Sequence, residues 1–209
     1  MALQTTVKVG NITNLSDARY CAGMGVELLG FSIDEASSQY VDLKKYQEIR
    51  AWVAGVQIVA ETREDNTENL LEKLRAHAPD AVQVSRASWL PWLKSELDKP
   101  LILSIEASQD ADTIADLMHK NAPYVQYFLL ESTTTTGGMA LDGDWPDFLA
   151  DLAQKYPILL GFGVEASSIV ALTQVIQLAG VALNGSTEIR PGYSEFGNLM
   201  DVLEALEED

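Results

Sequence analysis

Eight short apolar runs alternate with amphipathic segments along the 209 residues, and this alternation constrains the fold more than any other feature. Most runs are continuous stretches of Val, Ile, Leu and Phe. They lack the apolar–polar alternation of a half-exposed strand, which is typical of parallel strands buried on both faces. The runs predict eight strands: Thr6–Val9, Leu28–Ile33, Gly55–Ala60, Ala81–Val84, Leu101–Ile105, Tyr127–Leu130, Ile158–Leu160 and Val181–Leu183.

The segments between the runs carry apolar residues at the spacing of one helix face. They predict helices at Leu15–Met24, Asp42–Val53, Thr67–Ala76, Trp89–Leu97, Asp110–Lys120, Trp145–Lys155, Ser168–Leu178 and Phe196–Leu206. Eight strand–helix units in series predict a (β/α)8 TIM barrel that forms a single domain over residues 1–209. An open doubly wound sheet is the alternative, although such sheets usually have about five or six strands.

Composition excludes several classes of partner. The chain has 31 acidic and 14 basic residues, for a formal charge of −17, which repels nucleic-acid phosphates and anionic membranes. No apolar run approaches the roughly 18 residues of a membrane span, and Met1–Thr6 does not read as a secretory signal. The single cysteine, Cys21, excludes an intramolecular disulfide. We therefore expect a cytoplasmic monomer or homodimer that binds neither nucleic acid nor membrane.

Two glycine turns follow the last two predicted strands. Gly161-Phe162-Gly163 ends the seventh run, and Asn184-Gly185-Ser186 ends the eighth. The helix between the two strands predicts that they are parallel neighbours, so that both turns lie at one end of the barrel. Glycine lets backbone N–H groups approach an anion, and barrels often hold a phosphate at this place. Alternatively, the glycines only allow tight turns.

Four carboxylates follow other predicted strands, namely Asp34, Glu61, Glu106 and Glu131. They are expected to face the carboxyl-terminal rim, where barrel active sites lie. Such a group could hold a divalent cation or a cationic substrate, or supply an acid and a base. Arg86 is expected on the same rim, where it could neutralise the carboxylates or contact an anion. In so acidic a chain these residues could also end strands by chance. We expect no cofactor and assign no metal, because the chain lacks HExxH, paired CxxC, Walker and GxSxG motifs.

Several segments, in order along the chain, carry a resemblance to a known family. They are Val7–Ala18, Gly25–Phe31, Ser37–Val41, Gln83, Gly137-Gly138, Asp144-Trp145, Gly161–Val164, Gly180–Glu188 and Pro191-Gly192. Together they resemble the phosphoribosylanthranilate isomerase family of tryptophan biosynthesis. The resemblance implies the barrel fold and an Amadori rearrangement of an aminoaldose phosphate to a ketose. It also implies that backbone N–H groups of Gly163, Gly185 and Ser186 bind the substrate phosphate.

The chain departs from this family at the residues that carry the chemistry. By resemblance, the family's base is a cysteine at the position of Gly10, its acid is an aspartate at the position of Glu131, and an arginine stands where this chain has Gln39. Glycine cannot take a proton, and general base catalysis is worth ~10²–10⁴-fold. The substitutions therefore predict weak or absent aldose–ketose isomerase activity, with Glu131 as the best remaining acid or base. Two alternatives stay open: a non-catalytic barrel that binds a ligand or serves as a partner subunit, and a carboxylate- or metal-dependent enzyme of different specificity.

Overall fold

A computed structural model describes residues 2–63, 69–132, 139–190, 193–195 and 198–208. Eight parallel strands form a closed barrel in sequence order, and β8 pairs with β1. The strands are β1 (Thr6–Gly10), β2 (Leu28–Ser32), β3 (Gln57–Thr62), β4 (Ala81–Val84), β5 (Leu101–Glu106), β6 (Tyr127–Glu131), β7 (Ile158–Gly161) and β8 (Gly180–Asn184). The predicted (β/α)8 barrel is confirmed, and the open-sheet alternative is wrong.

A helix follows each strand. The helices are α1 (Leu15–Met24), α2 (Leu43–Arg50), α3 (Leu70–His77), α4 (Leu90–Glu96), α5 (Ala111–Asn121), α6 (Trp145–Ala153), α7 (Ile169–Val175) and α8 (Leu199–Ala205). Most are shorter than predicted, and α7 ends where Ile176 turns extended. The predicted helix starts at Thr67 and Phe196 lie outside the described residues. None of the helices in the described ranges is both long enough and apolar enough to cross a bilayer.

A small antiparallel pair follows β8 and was not predicted. It consists of β9 (Thr187–Arg190) and β10 (Tyr193–Glu195). Their sequences, T-E-I-R and Y-S-E, contain no run of apolar residues that would indicate a strand. Pro191-Gly192, which contributed to the resemblance, lies between them and outside the described residues.

The barrel interior has an apolar level and, above it, a polar one. The apolar level contains Leu28, Val59, Ala81, Ile102, Leu129, Leu159 and Ala182. Successive side chains of a strand point to opposite faces, so the residue two positions further on also faces inward. Those residues are Gly30, Glu61, Gln83, Ser104, Glu131, Gly161 and Asn184. This second level therefore places polar groups and glycines at the carboxyl-terminal end of the barrel.

Candidate active site

A cavity of about 450 Å³ opens at the carboxyl-terminal end of the barrel, above the apolar level. We call it the inner cavity. Its charged and amide side chains are Lys8, Asn11, Asp34, Glu61, Arg63, Gln83, Glu131 and Asn184. Three of the four predicted rim carboxylates, Asp34, Glu61 and Glu131, thus come together in one place. They do so because β2, β3 and β6 all end on the same rim of a closed parallel barrel.

Glu61 forms a buried ion pair with Lys8. Lys8 is 2% exposed and Glu61 is 8% exposed, and the Lys8 ammonium donates to Glu61 Oε1. The other carboxylate oxygen, Oε2, accepts the backbone N–H of Asn11 at 3.0 Å. A buried carboxylate needs such donors, because leaving it unpaired costs several kcal/mol. Both oxygens of Glu61 are therefore held by groups from β1 and the residue that follows it.

Two glycines leave room for the Glu61 side chain. A Cβ atom on Gly10 would lie 2.7 Å from Glu61 Oε1 and 3.0 Å from Lys8 Nζ. A Cβ atom on Gly30, in β2, would overlap the Glu61 carboxylate. The Glu61 carboxylate thus occupies the part of the cavity that a side chain at position 10 would need.

Glu131 ends β6 and is held from two directions. Its Oε1 accepts from the Arg63 guanidinium at 2.5 Å and from the Ser104 hydroxyl. The Glu131 side chain is 16% exposed, whereas that of Arg63 is 48% exposed. Glu131 therefore presents a fixed carboxyl group to the inner cavity, beside a cation that solvent reaches.

Asp34 has a structural role on the same rim. Its two carboxylate oxygens accept the Thr62 hydroxyl at 2.6 Å and the Arg63 backbone N–H at 2.6 Å. Asp34 is buried, so these bonds tie the end of β2 to the end of β3. The consequence is that Arg63 leaves β3 in the direction of Glu131.

Glu106, Arg86 and Gln39 do not line the inner cavity. Glu106 ends β5 but is not one of the residues that line the cavity. Arg86 is exposed and its guanidinium lies 5.7 Å from the ring centroid of Trp89. The backbone N–H of Gln39 donates to Ser37 Oγ at 3.1 Å, and it is Ser37 and Ser38 that reach the cavity. Of the five predicted rim residues, three carboxylates line the cavity, and Glu106 and Arg86 lie outside it.

A larger cleft of about 1470 Å³, the outer cavity, adjoins the inner one. Gly161, Ala182, Leu183 and Asn184 line both. The outer cavity includes Gly163 and Gly185, so both predicted glycine turns face it. At Gly163 the backbone has φ +61°, and a Cβ atom would lie 2.8 Å from Leu141 Cβ. Only glycine fits there, for reasons of backbone conformation and packing alike.

The turn after β8 is hydrogen-bonded within the protein. The Gly185 N–H donates to the Gly10 carbonyl at 2.8 Å. The Ser186 N–H donates to Asp17 Oδ2 at 2.8 Å, and the Ser186 hydroxyl donates to the same oxygen at 2.5 Å. Ser186 is buried and does not line the outer cavity. Phosphate binding by the N–H groups of Gly185 and Ser186 stays a prediction. It requires that these groups break their bonds to Gly10 and Asp17 and donate to the phosphate instead.

Neither a metal-ligating cluster nor an activated thiol is found among the described residues. Within the described ranges, no three or more His, Cys, Asp and Glu side chains are grouped to hold a metal ion. Burial, and secondarily the Asp17 carboxylate, raises the pKa of the Cys21 thiol to about 12. Cys21 is therefore a packed core residue in α1 rather than a nucleophile.

Two of these site residues were recognisable in the sequence and were missed. Lys8 is a charged residue inside the apolar run V-K-V. A strand buried on both faces is not in contact with solvent, so a lysine there needs a partner inside the protein. Arg63 follows β3 directly after Glu61 and Thr62. The position of Lys8 indicates a buried charge, and that of Arg63 indicates a charge on the rim. Their partners, which lie 53 and 68 residues away, are visible only in the fold.

Comparison with known proteins agrees with this architecture. The family model for N-(5'phosphoribosyl)anthranilate (PRA) isomerase matches residues 7–205. N-(5'-phosphoribosyl)anthranilate isomerase of Nitrobacter winogradskyi is 24% identical over 207 residues, covering 95% of this chain and 91% of that protein.

Solved structures share the fold. One, of monomers generated from the dimeric phosphoribosylanthranilate isomerase of Thermotoga maritima, has a TM-score of 0.74 at 16% identity and covers 97% of this chain and 98% of that one. Another, a phosphoribosylanthranilate isomerase in complex with reduced 1-(o-carboxyphenylamino)-1-deoxyribulose 5-phosphate, has a TM-score of 0.72 at 16% identity with the same coverage. Since the family model spans nearly the whole barrel, the chain belongs to the phosphoribosylanthranilate isomerase family of tryptophan biosynthesis.

Proposed function

We propose that the protein binds a phosphorylated, sugar-like ligand across the inner and outer cavities and isomerises it from aldose to ketose, as a phosphoribosylanthranilate isomerase does. The observation that supports this most directly is the continuity of the two cavities. Glu131 lies in the wall of the inner one, both glycine turns face the outer one, and four residues line both. A ligand with a phosphate at one end could therefore place its reacting carbons beside Glu131.

Glu131 is the group we assign as general acid. Protonation of the sugar's ring oxygen opens the ring, and a positioned carboxyl group can supply that proton. Ser104 and Arg63 fix the carboxyl of Glu131. The half-exposed Arg63 can turn toward an anionic group of the ligand, and this movement would release Glu131 Oε1 for proton exchange.

The phosphate would lie in the outer cavity beside Gly163. A solved structure of this fold holds a deoxyribulose 5-phosphate that carries a carboxyphenylamino group, which supports a ligand of similar size and charge here. The net charge of −17 does not forbid an anion, because nearby N–H groups outweigh distant, screened charges. Cytoplasmic location and a monomeric or dimeric state stay predictions.

Turnover of phosphoribosylanthranilate by the purified protein tests this function. We expect measurable conversion to the ketose, and we expect Glu131→Gln to lower kcat/KM by ~10²–10⁴-fold because the amide cannot donate an acidic proton. Glu48→Gln is the matched control: it removes an exposed carboxylate on α2 that lines neither cavity, and its kcat/KM should stay within about twofold.

The second candidate is a barrel that binds its ligand without turning it over. It is favoured by the absence of a side chain at Gly10 and by the internal bonds of the Gly185 and Ser186 N–H groups. Calorimetric titration with reduced 1-(o-carboxyphenylamino)-1-deoxyribulose 5-phosphate distinguishes the two. Binding without turnover would support the second candidate, and neither binding nor turnover would reject both.

A further inference from the structure

The carboxylate of Glu61 occupies the space that a side chain at position 10 would take. A Cβ atom on Gly10 would lie 2.7 Å from Glu61 Oε1, well inside van der Waals contact. Gly30 leaves space for the same carboxylate from the other side. The side chain itself projects from β3, two strands away from β1. By the resemblance, the family's basic cysteine would lie at position 10. In this protein a carboxylate that projects from β3 occupies that place.

We propose that Glu61 is the general base of this protein and replaces the group lost at Gly10. This inference rests on the proposed isomerase function. Glu61 lines the inner cavity together with Glu131. The two carboxylates come from β3 and β6, which β4 and β5 separate on one side of the closed barrel. They therefore approach a bound ligand from different sides, as an acid and a base that act on adjacent carbons must.

The proton transfers balance without any further reactant. Glu131 gives its proton to the ring oxygen as the C1–O bond breaks, which leaves a protonated imine at C1. Glu61 then takes the proton from C2. The electrons of that C–H bond form a C1–C2 double bond, and the imine electrons return to nitrogen. Glu61 returns its proton to C1, and the C2 hydroxyl gives its proton to Glu131 as the ketone forms. Both carboxyl groups end as they began.

The surroundings of Glu61 suit a base. The ion pair with Lys8 needs the carboxylate form, which is the form that accepts a proton. Each carboxylate oxygen has two lone pairs, so the bonds from Lys8 and from the Asn11 N–H leave one on each oxygen. These two donors also fix the orientation of the carboxylate.

The first test is Glu61→Gln, which keeps the size of the side chain and an acceptor for Lys8. We expect kcat/KM to fall by ~10²–10⁴-fold while the melting curve by circular dichroism stays cooperative. We also expect the deuterium isotope effect on kcat with C2-deuterated substrate to grow, since proton removal becomes rate-limiting. A purely structural role of Glu61 would not enlarge this isotope effect. Glu48→Gln again serves as the carboxylate control.

The second test replaces the carboxylate on β3 with a thiol on β1. Glu61→Ala removes the carboxylate, and Glu61→Ala/Gly10→Cys then places a thiol in the vacated space beside Lys8 Nζ, where a nearby cation favours the thiolate. We expect the double variant to be at least about tenfold more active than Glu61→Ala alone. This comparison also decides the matter if Glu61→Gln fails to fold.

The outcomes separate the two proposals. Wild-type turnover that Glu61→Gln leaves unchanged would overturn the role of Glu61 and leave the isomerase function standing. Wild-type protein that binds the reduced product analogue without turnover would overturn the isomerase function, and the role of Glu61 with it. A large loss in Glu61→Gln, with recovery in the cysteine variant, would establish both.

Discussion

Gly30 and Gly10 show how much one inward-facing side chain depends on its neighbours. Glu61 points into a level of the barrel where most other strands contribute short side chains or amides. Its carboxylate reaches the Lys8 ammonium only because neither glycine has a Cβ atom in the way. A close-packed interior does not absorb an added methyl group without movement. The ion pair and the two glycines therefore form one packing unit.

Gly30→Ala tests this unit directly. The added methyl group would overlap the Glu61 carboxylate, so we expect a loss of about 1–3 kcal/mol in the free energy of unfolding. If Glu61 is the base, kcat/KM should fall as well, because the carboxylate is displaced. Urea denaturation and steady-state kinetics measure the two effects.

Gly23→Ala is the matched control for Gly30→Ala. Gly23 lies in α1, and a Cβ atom there meets nothing within 4 Å. Alanine in a helix is favoured over glycine by roughly 0.5–1 kcal/mol, so this variant should be slightly more stable than the wild type. A Gly30→Ala protein as stable and active as the wild type would show that Glu61 has another position available.

At the scale of elements, the start of α1 is hydrogen-bonded to the turn that follows the last barrel strand, β8. The helix begins after Asn14, whose side chain accepts the Asp17 N–H at 2.9 Å. Asp17, on the first turn, accepts both donors of Ser186 in the turn after β8. The start of α1 thus determines where the β8 turn lies, and with it one wall of the outer cavity.

Asn14→Ala should therefore weaken both the helix and the turn. Loss of the N-cap acceptor costs about 0.5–2 kcal/mol in unfolding free energy, and urea titration followed by circular dichroism measures it. Ser16→Ala is the control, because Ser16 is exposed on the same helix and caps nothing; we expect a change within about 0.5 kcal/mol. Equal losses in the two variants would show that the cap contributes nothing specific.

Element prediction from the sequence was accurate where the signal was local. Each barrel strand and each helix was predicted, because a buried parallel strand and an amphipathic helix each show their pattern within about ten residues. The ends were less accurate, since capping and tertiary contacts decide where a helix stops. The pair β9–β10 was missed because T-E-I-R and Y-S-E contain no apolar run.

At the scale of the whole molecule, the surface carries a large excess of negative charge. The chain has 31 acidic and 14 basic residues and a net charge of −17, so at least 17 carboxylates have no cation to pair with one to one. Net charge far from zero destabilises the compact state through self-repulsion. Screening shortens the range of this repulsion from about 30 Å at 0.01 M salt to about 8 Å at 0.15 M.

We therefore expect the melting temperature to rise by a few degrees when NaCl increases from about 0.01 to 0.15 M, the range over which the screening length changes most. Differential scanning calorimetry measures the shift. KCl at the same ionic strength should have the same effect, because screening does not depend on the identity of the cation. A melting temperature that falls with salt would mean that attractive pairs such as Arg63–Glu131 outweigh the repulsion.

The sequence by itself determined the barrel, the glycine turns after β7 and β8, and Glu131 at the end of β6. Each of these depends on the pattern of a short segment and on the rule that parallel strands end on one rim. Only the tertiary structure decided that the Glu61 carboxylate lies beside Gly10 and Lys8. Lys8 and Glu61 are 53 residues apart, and their meeting depends on the register and closure of the barrel and on the space left by Gly10 and Gly30. Tertiary structure likewise decided that Asp17 takes the Ser186 donors. The physical reason is that side-chain contacts across a barrel depend on strand pairing, which no local pattern in the sequence specifies.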